Sequence, residues 1–140
     1  MNVSVESASP DFLEKISSGR HTVQADEPVS AGGQDAGPTP YEFLLAALGA
    51  CKAITLRMYA ARKGWPLQGV QVNLSHAKVH ADDCANCGSE DRLIDRIDVE
   101  IRFIGKLSDD QRRSLLAIAE KCPVHRTLSS PIQIRTLTGA

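Results

Sequence analysis

The sequence predicts an α+β fold, and three observations carry the prediction. Short alternating segments crowd the chain up to Ala25, one long helical pattern follows over Tyr41 to Lys63, and strict two-residue alternation returns over Val70 to His80 and Ile97 to Gly105. Strands and helices thus come in blocks, not in the regular alternation that builds a parallel sheet. With 140 residues and 42% hydrophobic content, the chain reads as one domain, 1–140, with enough apolar side chain for a core.

Each element has a local reason. Val3 and Val5, Phe12 to Ile16 and His21 to Ala25 read as short strands, with Ser17 to Arg20 as a turn. Asp26 to Pro40, DEPVSAGGQDAGPTP, is rich in glycine and proline and reads as a loop. Thr39 at the N-cap, Pro40 at N1 and Glu42 at N3 then form a capping-box pattern, while Gly64 and Pro66 close the far end. The helix between them is roughly 34 Å long at 1.5 Å per residue. Its first half, FLLAALGAC, is apolar all round, which predicts a central helix enclosed by other elements, with Leu44, Leu48, Cys51, Thr55 and Met58 sharing one face.

The two alternating segments should pair as a hairpin. Ile97, Val99, Ile101 and Phe103 make its dry face, and Asp98, Glu100 and Arg102 its wet one. Ser108 and Gln111 form a second capping box, and Leu115, Ile118, Ala119 and Cys122 continue an apolar stripe from it. Pro123 ends that pattern and suits the first position of a short helix through Leu128, with Cys122 at its N-terminal edge. Ile132 to Leu137, IQIRTL, reads as a short closing strand.

Charge and composition exclude some roles. Seventeen acids against sixteen bases, with no basic run, argue against nucleic acid. The N-terminus lacks the basic and apolar blocks of a signal peptide, and the longest apolar run, Phe43 to Cys51, is too short to span a bilayer. The expected location is the cytoplasm, where thiols stay reduced, so the four cysteines read as reactive, metal-binding or buried, not as a disulfide framework.

Cys51 and Cys122 both lie on inward stripes of the principal helices, and their thiols could meet if those helices pack. A cysteine at such a junction also has a plainer reading as a small core hydrophobe. Burial in mid-helix would make Cys51 inert unless a cation reaches it. The candidates are Arg20 and the His125/Arg126 pair, since helical spacing turns Lys52 and Arg57 off its face. Glu42 could hold an arginine in place or serve only as a capping-box partner.

Gly37 to Ala60, GPTPYEFLLAALGACKAITLRMYA, followed some way on by Cys122 to Leu128, CPVHRTL, resembles the OsmC family of osmotically inducible and organic hydroperoxide resistance proteins. The resemblance runs from about Arg20 to Ile134 and implies an OsmC-like intertwined homodimer, with curved antiparallel sheets wrapped around long central helices and a two-cysteine peroxidase site at the interface. By motif position, Cys51 resembles the peroxidatic cysteine and Cys122 the resolving one. Arg20 resembles the activating arginine and Glu42 its carboxylate partner, although Glu42 stands one residue nearer to Cys51 than in the hydroperoxide-resistance branch, where Tyr41 falls instead. His125 stands where peroxidase members usually carry serine.

What the resemblance implies is thiol peroxidase chemistry on a small organic hydroperoxide, with an external dithiol as reductant and no cofactor required. Phe43, Leu48, Met58 and His125 are the expected substrate-binding residues, the apolar ones favouring alkyl over hydrogen peroxide. The loop ADDCANCGSED offers a second possibility, because Cys84 and Cys87 have zinc-ligand spacing with His80 nearby. One such pair is half of a strong zinc signature, and a redox pair or a solvated loop are the other readings. Two further functions stay open: a non-enzymatic redox- or zinc-responsive dimer, and an acyl-thioester enzyme in which a carboxylate would do the chemistry. His76 reads as a strand residue, and His21 as either structural or lining the site.

Overall fold

The structure, a computed structural model, describes residues 1–81 and 92–139. It forms two compact units, Met1–Ala46 and Ala47–Ala140. The first is an antiparallel meander of β1 (Ser4–Ser7), β2 (Glu14–Ser18) and β3 (His21–Ala25), in the order β1-β2-β3. Gly19, in the β2–β3 turn, has φ +58°, a conformation that an L side chain rarely adopts.

After β3 the chain is stapled by Asp26, which is 2% exposed. Its carboxylate accepts from the N–H groups of Glu27 (2.8 Å), Gln34 (3.1 Å) and Ala36 (3.2 Å). Burial pushes its carboxyl upward, but these donors outweigh that and hold it below the ordinary carboxylate value.

Helix α1 (Pro40–Lys63) starts as its caps predict. The Thr39 N–H donates to Glu42 Oε2 at 2.7 Å, and the Glu42 N–H donates to Thr39 Oγ1 at 3.4 Å. It ends in a Schellman motif, with Gly64 at φ +68° and the Trp65 N–H reaching the Ala60 carbonyl at 2.9 Å.

The second unit adds a hairpin of β4 (Leu67–His80) and β5 (Leu93–Gly105), then α2 (Asp109–Ala119) and α3 (Pro123–Leu128). Val72 opposes Ile101, Leu74 opposes Val99 and His76 opposes Ile97, so the alternating residues of β5 share one half-buried face as expected. Ser108 caps α2 through a complete capping box with Gln111. The core gathers Leu56 and Ala60 of α1 with Leu115 and Ala119 of α2, and Trp65, Val70, Ile101 and Phe103 pack around them. Burying a leucine fully contributes roughly 1.5–3 kcal/mol, so Leu56 and Leu115, both 0% exposed, anchor this unit. A Cβ on Gly49 would lie 2.7 Å from Leu74 Cδ1, so a missing side chain lets α1 approach β4.

Two expectations fail. Ile132 to Leu137 is not a strand: among the described residues it makes no ladder, and Ile134 and Leu137 are 85% and 77% exposed. Alternation supplies a strand-like surface, but a strand also needs an edge to bond to. Nor is α1 enclosed among the described residues. Its buried residues are Leu48, Gly49, Lys52, Leu56 and Ala60, while Tyr41, Ile54 and Met58 are more than half exposed. The described residues cover one stripe of it. Taken whole, α1 is long and apolar enough to cross a membrane, with a mean hydropathy of 1.4 over its most apolar window, a property that core helices share.

Candidate active site at the α2–α3 corner

Helix α1 presents Cys51 from its middle, and α2 stops at Ala119 so that the chain can turn before Cys122, the N-cap of α3. Pro123 at N1 explains the break, having no N–H to extend α2 and a φ ready for a new helix. Cys51 is half-buried, Cys122 is 0% exposed, and both are free thiols, each of which bears on the titration of the other.

The two sulfurs titrate in opposite directions. Burial pushes the Cys51 thiol up, but hydrogen bonds from the Cys122 thiol, the Val124 N–H and the Thr55 hydroxyl, together with the charge of Lys52, bring it below the ordinary thiol value. Burial and its donation to Cys51 push Cys122 above that value, against the N–H groups of His125 and Val124. Such an arrangement favours a thiolate on Cys51 with a protonated thiol waiting beside it.

Lys52 is the residue that sequence reasoning missed. Helical spacing does turn it away from Cys51, but into the protein: it is 1% exposed, and its Nζ lies 2.8 Å from the Ala119 carbonyl, 2.9 Å from His125 Nδ1 and 3.5 Å from Glu120 Oε1. Its charge bears on Cys51 even though its head points elsewhere. A signal was available, because Leu48, Lys52, Leu56 and Ala60 recur at a spacing of four and the lysine interrupts an apolar row. The row expected instead, through Leu44 and Met58, is wrong at its ends, which are 38% and 67% exposed.

Of the expected substrate-binding residues, Leu48 and His125 meet. They line one cavity of about 210 Å³ with Asp95, Ile97, Val99, Leu128 and Ser129. Phe43 lies in a different groove with Gly37, Pro38 and Glu42, and Met58 lies on the exposed side of α1 with Ile54 and Arg57. Arg20 is exposed in the β2–β3 turn, and His21 begins β3. Glu42 is engaged by Thr39, whose backbone and hydroxyl hold its carboxyl below the ordinary value. His76 bonds Asp95 across the hairpin at 2.8 Å, as a strand residue would. His80 ends β4, whereas Cys84 and Cys87 lie outside the described residues. Among the described residues no three His, Cys, Asp or Glu side chains gather as a metal site.

Two helices bringing a half-buried thiol onto a buried one, beside a long antiparallel hairpin, define a small α+β thiol protein. The OsmC-like protein family matches residues 32–136, and the chain belongs to it. Its fold is similar to that of an OsmC-like protein from Mycoplasma pneumoniae, with a TM-score of 0.71 at 18% identity over 91% of this chain and 86% of that one. It is also similar to an organic hydroperoxide resistance protein from Legionella pneumophila, with a TM-score of 0.63 at 16% identity over 91% and 87%. A third similarity is to the organic hydroperoxide resistance protein OhrB of Bacillus subtilis, with a TM-score of 0.59 at 15% identity over 90% and 87%. No curated protein matches the chain.

Proposed function

We propose that the protein is a thiol peroxidase for small organic hydroperoxides, with Cys51 attacking and Cys122 resolving. The carrying observation is the pair of free thiols, Cys51 in the middle of α1 and Cys122 at the N-cap of α3, with Cys51 shifted toward thiolate and Cys122 away from it. The hydroperoxide resistance named for two fold relatives supports the choice of substrate.

The Cys51 thiolate attacks the distal oxygen of ROOH, the O–O bond breaks, and RO⁻ leaves and takes a proton to become ROH. Cys51 is now a sulfenic acid. The Cys122 sulfur displaces its hydroxyl, which leaves as water with the thiol proton, and a disulfide remains. An external dithiol reduces that disulfide by exchange and becomes a disulfide itself. No resident cofactor is needed for any step. The cavity beside Leu48, with Ile97, Val99 and Leu128 in its wall, would take a short alkyl group.

In this reading the working form is a cytoplasmic homodimer, and Ile54, Met58, Ile134 and Leu137 are among the exposed apolar side chains that a second copy would cover. Arg20 is retained as an additional cation for the thiolate.

The test is a peroxide assay with cumene hydroperoxide and a dithiol. Cys51→Ser should abolish consumption, while Cys122→Ser should give one turnover and leave a sulfenic acid on Cys51 that dimedone traps. A sulfenate on Cys122 would reverse the roles, and full turnover in Cys51→Ser would remove the proposal. Arg20→Ala should slow iodoacetamide alkylation of Cys51 at neutral pH.

A further inference from the structure

Lys52 is a buried cation whose partners all lie in one short stretch of chain. Taking an ammonium out of water costs several kcal/mol unless its donors are answered, and three acceptors answer its three N–H groups: the Ala119 carbonyl at 2.8 Å, His125 Nδ1 at 2.9 Å and Glu120 Oε1 at 3.5 Å. Ala119 is the last residue of α2, whose final turn carries no basic residue of its own. Lys52 therefore brings from α1 the cation that a helix C-terminus favours.

Its other anchor lies beyond the corner. His125 is in α3, and because its Nδ1 accepts from Lys52, its Nε2 carries the proton and faces Glu120 Oε2 at 3.4 Å. Ala119 and Glu120 precede Cys122, and His125 follows it. One side chain, next in sequence to Cys51, grips the chain on both sides of Cys122.

We infer that Lys52 is a positioning residue for the Cys51–Cys122 redox pair, holding the α2–α3 corner so that the Cys122 sulfur stays within bonding reach of Cys51. The inference rests on reading these cysteines as a redox pair, but not on the oxidant being a peroxide. Apart from the buried side chains of Ala119 and Cys122 the corner has few holds of its own, since Cys122 makes no side-chain cap to α3 and α3 has no buried residue among its six. Without Lys52 the segment would keep Pro123, its backbone turn and the interactions of Cys122 and Val124 with Cys51, but lose the side chain that ties both flanks of the corner to α1. A second consequence follows from the same placement: its charge bears on the Cys51 sulfur and supports the thiolate there.

The experiment is thiol–disulfide exchange of the whole chain with glutathione, in which oxidised glutathione takes two electrons from the Cys51/Cys122 pair and is released as two reduced molecules. The equilibrium gives the effective concentration of one thiol at the other. Lys52→Met should lower it about tenfold and slow alkylation of Cys51, while Arg57→Met, an exposed cation on the same helix, should change neither. Should Lys52→Met fail to fold, His125→Phe, which keeps the lysine and removes one anchor, should lower the effective concentration in the same direction. Equal values in wild type and a folded Lys52→Met would overturn the inference and leave the peroxidase reading standing. If the wild-type pair forms no disulfide at any glutathione ratio, the inference and the redox-pair reading fail together.

Discussion

Glu42 and Lys52 are charged residues on one helix, and their surroundings differ in kind. Glu42, in the first turn of α1, holds the N–H of Thr39 at 2.7 Å and remains exposed. Lys52, in the middle turn, is 1% exposed and is held by residues far along the chain, from α2, the turn after it and α3. A helix start leaves unmatched N–H groups that a nearby carboxylate can satisfy without any help from the fold. A helix middle leaves none, so a charge there must either reach water or be met by another element. The comparison shows why local chemistry claims Glu42 and tertiary packing claims Lys52.

The largest expected effect tests the packed region. Leu56→Ala, at a site 0% exposed one turn beyond Lys52, should cost about 2–5 kcal/mol, read from urea unfolding. A cost below about 1 kcal/mol would mean that the middle of α1 is no better packed than its start. The locally closed region should respond less. Thr39→Ala removes the hydroxyl that accepts the Glu42 N–H and should cost about 0.5–2 kcal/mol in the same measurement, with Cys51 alkylation unchanged. Altered alkylation would show that the first turn reaches the thiol site after all.

The smallest effect is a pH dependence. Glu42 titrates below its ordinary value in the folded chain, so its contribution is fully present above the unfolded value and is lost as pH falls through the folded one. The melting temperature of Glu42→Gln should therefore lie slightly below wild type at neutral pH and converge on it in acid. A gap that persists in acid would assign the loss to something other than the charge.

Much of the fold was legible because its signals are local. Ser108 and Gln111 announce α2, Thr39 and Glu42 announce α1, and Pro123 marks the corner that carries Cys122, all within one helical turn of the feature they specify. The pairing of β4 with β5 followed from alternation, since one dry face per strand admits few registers. The thiol pair was legible as a possibility, from two inward cysteines on helices that ought to pack. Ile132 to Leu137 shows the limit, because its alternation is real and yet no strand edge among the described residues takes it up.

The sequence by itself determined where helices start, stop and turn, which face of the hairpin is dry, and that Cys122 would sit at a helix junction. Only the tertiary structure decided which side chains complete the site. It turned Lys52 inward, brought His125 and Leu48 to one cavity, left Glu42 at its cap and buried the Cys122 thiol. The physical reason is that caps and turns are satisfied by atoms a few residues apart, whereas a buried charge or a lowered thiol pKa is settled by whatever groups the packing brings within hydrogen-bonding distance.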